Sequence, residues 1–177
     1  MSNAIPAGTW ISDKVHSTFE FSARHMVVAT YRGQLPDFDV TLVGNEDGTA
    51  SATASARVAT VTTAEDNLTG HLLSPDFFDA EQYPEITYTS NDIAGDGGHI
   101  VVRGQLTIKG TTKDVTFHGD VAGPTEGFEG AQLMGITLET TIDRREFDMN
   151  WNATLPTGGL VLGHEVKLTA NLELAKA

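Results

Sequence analysis

The sequence predicts an all-β fold, an antiparallel sheet of about eight strands that closes on itself, with one or two short helices. The clearest sign is residues 98–121, GHIVVRGQLTIKGTTKDVTFHGDV, where Ile100, Val102, Gly104, Leu106 and Ile108 share one face and Val101, Arg103, Gln105, Thr107 and Lys109 the other. After a polar break at 109–112 the period resumes with Val115, Phe117, Gly119 and Val121. So short a connection forces antiparallel pairing, because a parallel return needs a crossover of about a dozen residues. The other signs are the same two-residue period in further segments separated by turn residues, and the lack of any strand–helix–strand rhythm.

Residues 9–13 form a first short strand anchored by Trp10, and 17–22 a clearer one with Phe19 and Phe21 on one face. The alternation lapses at 24–30 and returns over 31–43 with Phe38, Val40 and Leu42; Pro36 within that run marks a bulge or an edge. A turn at 44–48 leads into Ala50, Ala52, Ala54, Ala56 and Val58 against Ser51, Thr53, Ser55 and Arg57, a strand read from strict alternation, since alanine is a poor strand former. Residues 63–73 are the one credible helix, with Thr63 or Asp66 as cap and Leu68, Leu72 and Leu73 as a partial apolar face. An irregular passage, SPDFFDAEQYPEI, enters a strand at 85–93. Beyond the central hairpin come a glycine-rich loop at 123–130, a strand at 132–143, a long irregular connection at 144–159 and a last strand at 163–174. One domain over 9–175, preceded by a tail at 1–8, accounts for the chain.

With 177 residues, 40% hydrophobic and 20% charged, the chain can bury a sizeable core. It has no cysteine, which excludes disulfides, thiolate metal sites and cysteine nucleophiles. A net charge of −13 with no cluster of Lys and Arg disfavours nucleic acid and anionic membrane surfaces. No apolar run is long enough to span a membrane. MSNAIPAGTW has neither a basic start nor an apolar core, so a cytoplasmic location is expected; it becomes periplasmic or secreted if residues 2–4 replace a removed signal. A homodimer is compatible with the sequence.

The six histidines, His16, His25, His71, His99, His118 and His164, make no HxH or HExxH pattern, and no G-x-S-x-G elbow is present. Residues 104–111 imitate a phosphate loop, but the lysine precedes the second glycine and the run lies along a strand. Asp76, Asp79 and Glu81 read as a solvated loop cluster. Arg144 and Arg145 beside Glu146 and Asp148 read as surface pairs, although an arginine at a barrel mouth also suits an anionic head group. Two glycosylation sequons begin at Asn67 and Asn152 and matter only on export. No catalytic residue, metal or cofactor is assigned.

Ala50, Ala52, Ala54, Ala56, Gly104, Gly119 and Ala170 are small residues on otherwise bulky faces. Each missing large side chain forgoes roughly 1.5–3 kcal/mol of burial, so the small face suggests room inside the barrel. Phe19, Phe21, Phe38 and Phe117 reaching across to fill that room satisfy the pattern equally well.

Four ordered segments resemble the YceI-like family of polyisoprenoid-binding proteins: WISDKVHSTFEFSARHMVVATYRGQLPDFDVTL from Trp10, FFDAEQYPEITYTS from Phe77, GQLTIKGTTKDVTF from Gly104 and IDRREFDM from Ile142. The likeness covers about 9–174, and His16, Phe19, Phe21, His25, Gly33, Phe38, Phe78, Pro84, Lys113 and Phe147 fall on recurring positions. The resemblance implies a lipocalin-like antiparallel barrel of about eight strands enclosing an apolar tunnel. It also implies non-enzymatic binding, storage or transport of a long-chain lipid such as a polyisoprenoid or isoprenoid quinone. On that basis Phe19, Phe21, His25, Met26, Phe38, Ala52, Ala54, Ala56, Leu106 and Phe117 are the expected ligand-binding residues. The alternative is an enzyme acting on an isoprenoid or other hydrophobic small molecule, with His16, His25 or a nearby carboxylate as acid or base. A carbohydrate- or protein-binding module would need an exposed aromatic row, which the sequence lacks.

Overall fold

The chain folds as a meander in which β1 (Gly8–Ser12), β2 (Thr18–His25), β3 (Ala29–Gln34), β4 (Phe38–Gly44), β5 (Ala50–Arg57), β6 (Glu85–Asp96), β7 (His99–Ile108), β8 (Thr111–Glu126), β9 (Gln132–Asp143) and β10 (Leu162–Lys176) pair antiparallel throughout. These are the strands of a computed structural model that describes residues 5–177. The ladder runs β1-β4-β5-β6-β7-β8-β9-β10 and returns to β1, closing an eight-stranded barrel. The remaining two strands extend it, since β2 pairs with the other half of β10 and β3 with β2. In effect β1–β2 and β3–β4 are two long strands, each broken once.

Both breaks have a local cause. Between β1 and β2 the Asp13 carboxylate accepts from the N–H groups of Val15 (2.7 Å) and His16 (3.1 Å), a tight turn that lifts the chain off the ladder. Between β3 and β4 stands Pro36, which has no N–H to contribute, so it ends one strand where the sequence suggested a bulge or an edge. The β7–β8 hairpin turns on Lys109 (φ 49°) and Gly110 (φ 74°), the pair of positive dihedrals that a two-residue hairpin needs.

Helix α1 (Asp66–Leu73) starts later than the periodicity suggests, and its cap is neither Thr63 nor Asp66. Glu65 supplies the cap, its carboxylate accepting from the Leu68 N–H at 2.9 Å. Leu72 is buried. The helix, the 74–84 connection and residues 144–161 lie at one end of the barrel, the end at which β2 finishes and β10 begins. Lys109 Nζ ties the hairpin turn to that cap, donating to the carbonyls of Pro75 (2.7 Å) and Asp148 (2.9 Å).

The opposite end corrects the expectation of a tail at 1–8. Ile5 is only 2% exposed and belongs to the core, Pro6 accepts from the Trp10 indole N–H at 2.9 Å, and Gly8 opens β1. A Cβ on Gly44 would meet the Pro6 carbonyl at 2.4 Å, so this segment lies tightly against β4 and helps to close the barrel. Residues 1–4 of the expected tail lie outside the described residues.

Candidate functional site

The barrel interior holds two apolar chambers in line. The lower one, about 90 Å³, is lined by Phe38, Val40, Ala52, Ala54, Ala56, Tyr88, Val102, Phe117, Leu138, Ala170 and Leu172, with Ser55 and Thr87 also touching it. The upper one, about 50 Å³, is lined by Phe21, Ala23, Tyr31, Leu35, Phe77, Phe78, Ile142, Arg144, Met149, Leu162 and others. Phe19, Ile86 and Leu106 line both and mark the waist between them. Above the upper chamber a wider mouth pocket of about 350 Å³ is lined by His25, Glu65, Leu68, His71 and Trp151, and Tyr31, Phe77 and Leu162 are common to both walls.

The lower chamber exists because of β5. Its register sets Ala52 beside Leu42 and Ser90, Ala54 beside Val40 and Tyr88, and Ala56 beside Phe38 and Ile86 on the same face, so the alanines form a recess between mostly larger neighbours. Ala170 completes the gap from β10. Both sequence readings are therefore partly realised: the phenylalanines cross the barrel and fill much of it, and the alanines keep the rest clear. Phe19 and Phe38 lie 6.2 Å apart between ring centroids, and Phe21 meets Tyr31 and Phe78 edge to face.

The two glycines of the small-residue face are small for another reason. A Cβ on Gly104 would fall 2.2 Å from the Thr89 carbonyl oxygen and 2.7 Å from the Tyr88 ring, and one on Gly119 would fall 1.6 Å from the Thr137 carbonyl oxygen. Neighbouring chain occupies those positions, and they make no room for a ligand. Tyr88 lies over Gly104 with its hydroxyl 3.1 Å from the Val102 carbonyl and 2.9 Å from that of Val115. Burial pushes that phenol up to about 12, so it remains a neutral donor.

Of the ten expected ligand-binding residues, Phe19, Phe21, Phe38, Ala52, Ala54, Ala56, Leu106 and Phe117 line the chambers. His25 lies on the mouth pocket, while Met26 is exposed in the β2–β3 turn and lines neither. His16 is on the outer wall, its Nδ1 3.4 Å from Asp13 and 3.6 Å from Glu173, and away from the lumen. Backbone N–H groups of His16 and Val15 hold the Asp13 carboxyl below the usual range.

Arg144 departs from the expected surface pair. It is 2% exposed and donates to four backbone carbonyls, whereas Arg145 alone takes the neighbouring carboxylate, Asp143, and with its backbone N–H holds that group down at about 2. At the mouth, His71 packs edge-on against Phe77 (4.9 Å) and Trp151 (4.8 Å), with Nε2 2.9 Å from Asp76. Sequence reasoning passed over Tyr31, Phe77, Met149 and Trp151, most of which stand in irregular segments without a period, and it named Arg144 first as a surface pair and only second as an arginine at the barrel mouth. Ile86 and Tyr88 carried a usable signal, since they share a face of the 85–93 strand.

The sequence profile of the YceI-like domain matches residues 10–174. A UPF0312 protein of Staphylococcus aureus (strain bovine RF122 / ET3-1) is 34% identical over 166 residues, which cover 92% of this chain and 95% of that protein. Among solved structures, BcnA of Burkholderia cenocepacia superposes with a TM-score of 0.79 at 23% identity, covering 92% of this chain and 98% of that one. A polyisoprenoid binding domain from Saccharophagus degradans, implicated in plant cell wall breakdown, superposes with a TM-score of 0.70 at 12% identity, over 97% of this chain and 100% of that one.

Proposed function

Because the chain belongs to the YceI-like domain family, we propose that it binds a long apolar lipid, a polyisoprenoid, isoprenoid quinone or similar chain, in the barrel lumen, and stores or carries it without chemistry. The observation that carries this reading is the pair of in-line apolar chambers, the lower of which is kept open by Ala52, Ala54, Ala56 and Ala170. Burying such a chain is worth roughly 0.8 kcal/mol per CH₂ before the cost of ordering it. The polyisoprenoid binding domain of Saccharophagus degradans shares the architecture and supports the choice of ligand class.

Among the described residues, the titratable side chains on the chamber walls are Tyr31, Tyr88 and Arg144. Two phenols that burial keeps protonated and an arginine suit holding a ligand better than moving protons at neutral pH. Native mass spectrometry of protein purified without detergent is expected to show an added lipid mass that extraction with organic solvent removes. Protein that stays at its bare mass after incubation with prenyl and acyl lipids would overturn the proposal.

A further inference from the structure

Arg144 is the one charged side chain on the wall of either chamber among the described residues. Its Nε donates to Gly163 (2.9 Å), its Nη1 to Met149 (2.6 Å) and Trp151 (2.8 Å), and its Nη2 to Leu162 (3.3 Å), always to backbone carbonyls. A guanidinium has five N–H donors, so one on Nη2 is left without a protein acceptor among the described residues. No carboxylate there pairs with it either: Asp143, next in the chain, is turned away to Arg145.

The four carbonyls explain how Arg144 clasps the 144–163 connection. They do not explain why the clasp carries a charge. A buried cation with no counter-ion is costly, and arginine, unlike lysine or histidine, cannot shed its proton to escape the cost. Tyr31 lines the same chamber and continues into the mouth pocket, and its hydroxyl makes no hydrogen bond among the described residues. Thus one positive charge with no carboxylate bonded to it, one spare N–H and one spare O–H belong to the upper chamber, whose wall is otherwise apolar and which lies just inside a mouth pocket lined also by His25, Glu65 and His71.

We infer that the cargo is amphipathic and carries a carboxylate head, seated at the mouth end against Arg144 and Tyr31, with its chain running past Phe19 towards Ala54. This rests on the lumen-binding reading above and adds polarity and direction to it. The carboxylate supplies the missing counter-ion and accepts from both free donors, a charge-assisted arrangement of the stronger kind.

Displacement of Nile red by palmitate, methyl palmitate and the hydrocarbon of the same chain tests it, because the three differ only at the head. Palmitate is expected to bind at least about tenfold tighter than its methyl ester to the unmodified protein. Tyr31→Phe should narrow that gap, and Arg144→Gln, with its fold checked by circular dichroism, should abolish it. If Arg144→Gln does not fold, the gap in the unmodified protein and its narrowing in Tyr31→Phe still decide. Equal affinities for acid and ester, or a gap that persists unchanged in both variants, overturn the carboxylate site while leaving lumen binding intact. If neither Nile red nor any of the three binds, lumen binding itself fails.

Discussion

Ala54 is the residue on which the lumen can be tested most directly. It faces the lower chamber between Val40 and Tyr88, while Thr53 beside it is exposed. Ala54→Phe is therefore expected to fill the lower chamber and abolish uptake of a long-chain probe, with a fall in stability below the roughly 1–3 kcal/mol that overpacking a filled core costs. Thr53→Phe should leave both uptake and melting temperature unchanged. Thr53 is a better control than Ser55, which touches the chamber wall despite pointing the other way along the strand. A large loss of melting temperature in Ala54→Phe would mean that the barrel is packed solid at that level. This side of the site was legible in the sequence because alternation fixes the face of every strand residue: Phe19, Phe21, Phe38, Ala52, Ala54, Ala56, Leu106 and Phe117 all sit on strands. Arg144, Phe77 and Trp151 follow no period, and nothing short of the folded chain reveals that Arg144 turns inward.

At the scale of elements, two glycines separate positions where the fold needs the missing Cβ from positions where it does not. Gly119 on β8 has the Thr137 carbonyl oxygen 1.6 Å from where a Cβ would be, so Gly119→Ala must push β8 and β9 apart and is expected to cost at least about 2 kcal/mol. Gly70 in α1 has nothing within 4 Å of that position, so Gly70→Ala gains helix propensity and should stabilise by up to about 1 kcal/mol. Chemical denaturation of the two variants checks both signs; a neutral Gly119→Ala would return that position to the list of residues that keep space for a ligand. The sequence pattern grouped Gly119 with the alanines because alternation reports the face of a residue and is blind to how near the next strand lies. The strands themselves were legible, including the break between β1 and β2, except at the break between β3 and β4, where 31–43 read as one strand. β3–β4 does act as a single long strand in the barrel, so the pattern missed that interruption and kept the architecture.

For the whole molecule, chambers of about 50 and 90 Å³ leave little room for a long chain, and taking one in requires some part of the wall to move. The barrel ring is a poor candidate, because every strand in the closed circuit is hydrogen-bonded on both sides and opening it breaks a ladder. The cap is a better one: α1 has eight residues and buries only Leu72 completely, and the segments around it are joined mainly by turns. The mouth pocket opens beside this cap, and Tyr31, Phe77 and Leu162, which it shares with the upper chamber, form the partition a ligand must displace. Regions with few buried apolar contacts open locally at a lower free energy than the core. Amide hydrogen exchange should therefore be faster over residues 66–83 and 150–161 than over β9 and β10, and saturation with a long-chain probe should slow the cap selectively, since a bound chain stabilises the closed form by mass action. Exchange that is fastest in β2 and β3, and slowed there by the probe, would instead place the opening at the seam where β3 leaves the closed circuit, and the lipid would then pass between strands and leave the cap undisturbed.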